Sequence, residues 1–160
     1  MHIDYLSSPI GLLQLKADEK GITNLTIVKV KGTEVNGNEI TKKAKDQLNS
    51  YFKGKNTVFD LPLNLESGSH FYRKVWGELL KIPFGKTLTY LEIAKKLGDP
   101  KATRAVGMAN GKNPIAIVVP CHRVIGSDGS LTGYAHGVDI KRKLLALENP
   151  KEFAINGTLF

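Results

Sequence analysis

Apolar and polar residues alternate along the first thirty positions and then change to a helical period. Ile3 to Leu6, Leu12 to Ala17 and Ile22 to Val30 read as strands, with turn signals at Ser8-Pro9-Ile10-Gly11 and Asp18-Glu19-Lys20-Gly21 between them. They predict a small antiparallel sheet. Asn36-Gly37-Asn38 punctuates the chain, and Ile40, Ala44, Leu48, Tyr51 and Phe52 then fall on one face of a helix that ends near Gly54 and can cover that sheet. Val58 to Leu63 reads as one further strand before the polar stretch Asn64 to Ser69, which serves as a linker. The predicted domains are therefore residues 1–66 and 67–160.

The second part turns helical. Phe71, Val75, Trp76, Leu79 and Leu80 form an apolar stripe that stops before Pro83 and Gly85. Two short helices follow, near Tyr90 to Leu97 and Lys101 to Ala109, and Gly98-Asp99-Pro100 between them gives the length and punctuation of a helix-turn-helix. The second of these is lined by Ala102, Thr103, Ala105, Gly107 and Ala109, with Arg104 its only long cation. Small residues suit close approach to another macromolecule and close helix packing equally well. Ile117 to Ile125 is an apolar, strand-like run interrupted at Pro120, after which Gly126 to Ser130 reads as a turn and Gly133 to Gly137 as a loop. Val138 to Glu148 closes the pattern as an amphipathic helix, with Ile140, Leu144, Leu145 and Leu147 inward and its lysines outward. The fold class is α/β in the α+β sense: a small sheet with a covering helix, followed by a mostly helical domain.

Charge adds a partner class. Lys and Arg outnumber Asp and Glu by 23 to 15 among 160 residues, a net charge of +8, which favours a polyanion such as nucleic acid. Clusters such as Lys42, Lys43 and Lys45, or Lys141, Arg142 and Lys143, also fit ordinary solvated helix faces. One cysteine excludes an internal disulfide, residues 1–20 lack a secretory pattern, and no apolar run approaches the roughly 20 residues a bilayer span needs. A reducing, intracellular location is expected, cytoplasmic or nuclear, with no membrane association. Four histidines and one cysteine cannot assemble the usual structural zinc site, and neither a metal nor an organic cofactor is expected.

That single cysteine carries the chemistry. Cys121 follows Pro120 and precedes His122 and Arg123, so a base and a fixed positive charge flank the thiol. A free cysteine is more often an inert buried hydrophobe, and the neighbours are what shift the balance. Glu148 falls near the C-terminal end of the last helix, where the helix dipole disfavours a carboxylate unless a cation compensates; His122 could be that cation or a hydrogen-bond partner.

Asn113-Pro114, then Pro120-Cys121-His122-Arg123-Val124, with Arg104-Ala105-Val106-Gly107 upstream and Gly133-Tyr134 downstream, closely resembles the O6-alkylguanine-DNA alkyltransferases. The resemblance covers about Phe71 to Glu148, and the first domain is similar in size and strand-helix order. It implies a ribonuclease-H-like first domain and a winged-helix-like second one. It also implies repair by one irreversible transfer of an alkyl group from O6 of guanine, or O4 of thymine, in double-stranded DNA to Cys121, by a monomer that flips the nucleotide out through the minor groove. His122 would take the thiol proton through a water and Glu148 would orient the imidazole. Tyr90 would help turn the nucleotide and donate to the guanine ring, and Asn113 would tie the helix-turn-helix to the active site. Arg104 would be inserted into the duplex, with Thr103, Ala105, Gly107 and Arg123 also contacting DNA. Pro120, Val124, Tyr134 and Ala135 would line the pocket, with backbone near Cys121 and Val124 accepting from the guanine amino group. Ala135 stands where some relatives carry a polar side chain, and His136 also departs from their pattern. Two other classes compete: a base-flipping DNA-binding module in which the thiol is idle, and a cysteine hydrolase, for which neither the basic charge nor Arg104 has a use.

Overall fold

A computed structural model describes residues 1–153, which form two compact units, Met1–Leu65 and Glu66 onward. In the first, β1 (His2–Ser8), β2 (Gly11–Ala17) and β3 (Ile22–Val28) make an antiparallel meander in sequence order. Alternation buries Leu13, Leu15 and Ala17 of the central strand with Ile22 and Leu25 of its neighbour. Helix α1 (Glu39–Phe52) covers the sheet with Ala44, Leu48 and Tyr51, and its start is fixed by a reciprocal capping box between Asn38 and Thr41.

The strand expected at Val58 to Leu63 does not form. Only an isolated parallel bridge joins Leu63 to Ile22. Pro62 has no N–H to give a ladder, and both backbone groups of Asp60 are taken by a side chain: its N–H donates to Gln47 Oε1 and its carbonyl accepts from Gln47 Nε2, each at 2.9 Å.

The second unit begins with α2 (His70–Leu79), capped by the Ser69 hydroxyl. Val75, Trp76 and Leu79 are buried, while Leu80 lies outside the buried face at 45% exposure. The strand β4 (Leu88–Thr89) leads into α3 (Tyr90–Lys96), and after a 3₁₀ turn at Pro100–Ala102 comes α4 (Thr103–Gly111). The small residues of α4 serve packing on one side and leave the other open. Val106, Ala109 and Asn110 are buried, and Trp76 Nε1 donates to the Ala109 carbonyl at 2.8 Å. Arg104, Ala105 and Met108 are exposed.

Most of the apolar run before and after Pro120 is not a strand. Only β5 (Val124–Ile125) is extended, pairing in parallel with β4. Residues 115–119 instead coil through tight turns, Val118 N–H to Ala116 O at 2.8 Å and Val119 N–H to Ile115 O at 3.0 Å, with Ile117 in a left-handed conformation at φ 71°. The run is apolar because it is buried, and β4, only two residues long, pairs with Val124–Ile125 and leaves residues 115–119 no strand to pair with. Helix α5 (Val138–Glu148) and the short α6 (Pro150–Phe153) follow. Among the described residues no helix is long and apolar enough to cross a membrane.

Candidate active site

Cys121 opens a 3₁₀ turn, Cys121–Arg123, immediately after Pro120, and is only 6% exposed. Burial pushes its thiol up to about 11, against the pull of the Asn113 side chain, the Lys141 ammonium and the backbone N–H groups of Cys121 and His122. The sulfur is thus protonated at neutral pH and surrounded by groups that favour its anion.

His122 is fully buried, with Nε2 2.6 Å from Glu148 Oε2. Burial lowers its pKa; Glu148 pulls the other way without cancelling that effect. A neutral imidazole bonded to a carboxylate must donate from Nε2, which leaves Nδ1 as an acceptor. That Nδ1 is buried and has no partner among the described residues. For Glu148, burial opposes ionisation, but His122 and Arg123 outweigh it and hold the carboxyl well below the usual carboxylate range.

Arg123 is the cation that compensates Glu148 at the end of α5, and His122, expected there as either that cation or a hydrogen-bond partner, is the hydrogen-bond partner. Arg123 was expected to contact DNA, and the structure corrects this. The side chain is buried, donating from Nε and Nη2 to the two Glu148 oxygens and from Nη1 to the Ile82 carbonyl at 2.7 Å. With three of its five N–H groups committed to interior acceptors and the side chain enclosed, the guanidinium is held away from any phosphate.

Asn113 follows α4 and spans the turn, its Nδ2 donating to Val119 O at 2.7 Å and its Oδ1 accepting from Ile115 N–H at 2.9 Å. Tyr90, the first residue of α3, donates its hydroxyl to the Thr132 carbonyl at 2.8 Å. Burial raises its phenol, the Cys121 charge adds to that, and the Asn110 side chain opposes both. Tyr134 is buried, its hydroxyl has no partner among the described residues, and burial followed by the Cys121 charge holds it well above the usual phenol range. Gly133 has φ 80°, and a Cβ there would stand 2.7 Å from the Tyr90 hydroxyl, so glycine is what lets this loop pass the tyrosine.

Pro120 and Val124 are buried beside the nucleophile, and Ala135 is exposed in the loop after Tyr134. Arg104, Thr103 and Ala105 lie at the start of α4, Arg104 and Ala105 open to solvent and Thr103 half-buried. Gly107 faces inward: a Cβ there would lie 3.9 Å from the Tyr90 ring.

Two residues were missed. Asn110 is buried, and its Nδ2 donates to the Cys121 carbonyl at 3.2 Å. Lys141, expected to face outward, is fully buried; its Nζ donates to Val124 O at 2.5 Å and Thr132 O at 3.0 Å and lies 5.7 Å from the Tyr90 ring centre. Burial lowers its pKa to about 8, against the opposing effect of the Cys121 charge. The signal was present, because Lys141, Leu144, Leu145 and Glu148 share one face of a helix at i, i+3, i+4 and i+7.

Residues 1–65 match the ribonuclease-like domain of 6-O-methylguanine DNA methyltransferase, and residues 70–150 match its DNA-binding domain. The chain belongs to the 6-O-methylguanine DNA methyltransferase family. A methylated-DNA–protein-cysteine methyltransferase of Methanosarcina barkeri is 49% identical over 154 residues, covering 92% of this chain and 97% of that protein. One from Mycolicibacterium paratuberculosis is 51% identical over 148 residues, 89% of each chain. Among solved members of the family, the crystal structure of Mycobacterium tuberculosis OGT in complex with DNA superposes with a TM-score of 0.86 at 48% identity, covering 94% of both chains.

Proposed function

We propose that this chain repairs O6-alkylguanine in double-stranded DNA by transferring the alkyl group to Cys121, once per molecule, after the nucleotide is extruded from the helix through the minor groove. Transfer from methylated DNA to a protein cysteine is the activity of its family, and the relative from M. tuberculosis was solved in complex with DNA. The observation that carries the residue assignment is the buried, unpartnered Nδ1 of His122, on an imidazole kept neutral by burial and oriented through Nε2 by Glu148. It is an acceptor within the nucleophile's own turn.

A water bridging Cys121 and His122 passes the thiol proton to Nδ1. The sulfur attacks the alkyl carbon in line, the carbon–oxygen bond breaks, and its electron pair goes to guanine O6. The Tyr90 hydroxyl, released from Thr132, donates to the guanine ring and makes the departing base a better leaving group. Nothing then reverses the thioether: no second thiol exists in the chain. Extrusion is required because O6 is stacked inside the duplex, and the unstacking, a few kcal/mol, is offset by Arg104 entering the vacated space. The exposed, small-residue face of α4 suits a minor groove, a mode that reads width and backbone more than sequence. The protein acts as a monomer.

Mass spectrometry after incubation with an O6-methylguanine duplex tests the reaction. The Cys121 peptide gains one methyl, the yield stops at one per molecule, and Cys121→Ala abolishes transfer while still binding the duplex. His122→Ala slows transfer about 10²- to 10⁴-fold. Methyl transfer by Cys121→Ala, or turnover past one equivalent, refutes the assignment.

A further inference from the structure

Three buried polar atoms of the second unit have no partner among the described residues: His122 Nδ1, the Tyr134 hydroxyl and Asn110 Oδ1. The first takes the thiol proton and the second belongs to the pocket wall. Nothing in the transfer step uses the third.

Asn110 is 2% exposed, on the inner face of α4, and its carboxamide stands between the backbone of the nucleophile and Tyr90. Its orientation is determined. The Cys121 carbonyl can only accept, so the amide must turn its NH₂ toward that oxygen, which leaves Oδ1 as the open atom. A buried amide oxygen without a donor is costly to keep in a folded protein, and such atoms call for an explanation.

The methylated base supplies a donor. O6-methylguanine has lost the hydrogen at N1, so its exocyclic amino group is its only N–H donor on the pairing edge. O4-methylthymine carries no amino group and, having lost its N3 hydrogen, offers no donor on that edge. The backbone carbonyls expected to accept from that amino group each hold a hydrogen bond already, Cys121 O from Asn110 Nδ2 and Val124 O from Lys141 Nζ; the amino group has two hydrogens, so a side-chain acceptor can take the second. Asn110 Oδ1 has both of its lone pairs free.

We propose that Asn110 Oδ1 accepts a hydrogen bond from the exocyclic amino group of the extruded guanine and makes Asn110 a specificity-determining residue that favours guanine lesions over thymine lesions. The inference rests on the alkyl-transfer reading above. A site built to receive a donor rejects an analogue lacking it, since the acceptor is then left buried and unmet. Asn110 also joins recognition to chemistry, because the amide that reads the base holds the nucleophile's own carbonyl.

The test compares transfer rates from duplexes containing O6-methylguanine and O6-methylhypoxanthine, which differ only in the amino group, for the wild type and Asn110→Leu. The wild type favours O6-methylguanine. Replacement lowers the rate on O6-methylguanine about tenfold more than the rate on O6-methylhypoxanthine, the worth of one hydrogen bond. An equal loss on both substrates means a packing role and overturns the proposal, whereas no transfer from either substrate by the wild type would overturn the alkyl-transfer reading itself. A crystal structure of Cys121→Ala with an O6-methylguanine duplex decides the matter without altering position 110. The amino nitrogen lies within hydrogen-bond distance of Asn110 Oδ1, and an amino group directed elsewhere overturns the proposal.

Discussion

Arg123 holds Glu148 through both arms of its guanidinium, Nε to Oε1 at 2.7 Å and Nη2 to Oε2 at 3.0 Å, on the same carboxylate that orients His122. Two cationic or polarisable partners on one buried anion explain how a carboxylate survives at the end of α5. Removing the arginine leaves that charge poorly matched. Arg123→Met is expected to lose about 3–5 kcal/mol of stability, read from urea unfolding. The salt dependence of its DNA affinity should match that of the wild type, since the side chain is interior; a shallower salt slope would place it at the DNA after all.

Lys141 shares the Thr132 carbonyl with Tyr90 and places a positive charge near the sulfur. Lys141→Met should slow transfer about tenfold or more at pH 7, the effect of one nearby charge on a thiol. Because the ammonium loses its proton at about pH 8, the gap between variant and wild type should narrow as pH rises beyond that value. A pH–rate profile of single-turnover transfer measures it, and a gap constant from pH 7 to 9.5 would refute the electrostatic role.

Arg104 is exposed at the start of α4, and the proposed function gives it the space left by the extruded nucleotide, not a part in the thiol's chemistry. Arg104→Ala should therefore lose activity on duplex DNA while reacting normally with free O6-benzylguanine, if that base enters the pocket, because a free base leaves no space in a helix to be filled. Equal losses on both substrates would indicate a packing defect.

Acid should destabilise the fold in two stages. His122 has a folded pKa below its unfolded value of 6.5, so the unfolded chain binds more protons as pH drops through that value, and stability falls with it. Glu148 behaves likewise below its unfolded value of 4.5. His136, also lowered by burial, adds to the first stage. The melting temperature should therefore decline from pH 7 downward. His122→Gln should flatten but not abolish the slope near pH 6, since His136 remains; an unchanged slope would show that His122 does not titrate with folding.

The sequence made the helices and the nucleophile legible, and the tertiary context supplied what it could not. Periodicity located α1 and α5 because one face of each is apolar over several turns. It misread Ile117 to Val119, where burial on all sides looks the same whether the backbone is extended or coiled. It also misread Val58 to Leu63, where Gln47 competes for the backbone bonds a strand would need. Side-chain polarity misled at Arg123 and Lys141 for a common reason: a cation is expected in water, and only the fold shows which carboxylate or carbonyls hold it inside. Adjacency of Cys121 and His122 was visible at once, whereas Asn110 gave itself away only by sitting on the buried side of α4.

The near-complete enclosure of Cys121 bears on how long the protein keeps before it meets a lesion. On the proposed single transfer per molecule, a thiol consumed by peroxide or a stray electrophile is lost to repair. Such reagents attack the thiolate of accessible, low-pKa cysteines. Cys121 is 6% exposed and its thiol is held up to about 11, so it idles in the unreactive form. The Asn113 side chain, the Lys141 ammonium and the His122 backbone N–H already favour its anion, and the proposed transfer would draw on them. Chemical shelf life and readiness are thereby set by the same enclosure.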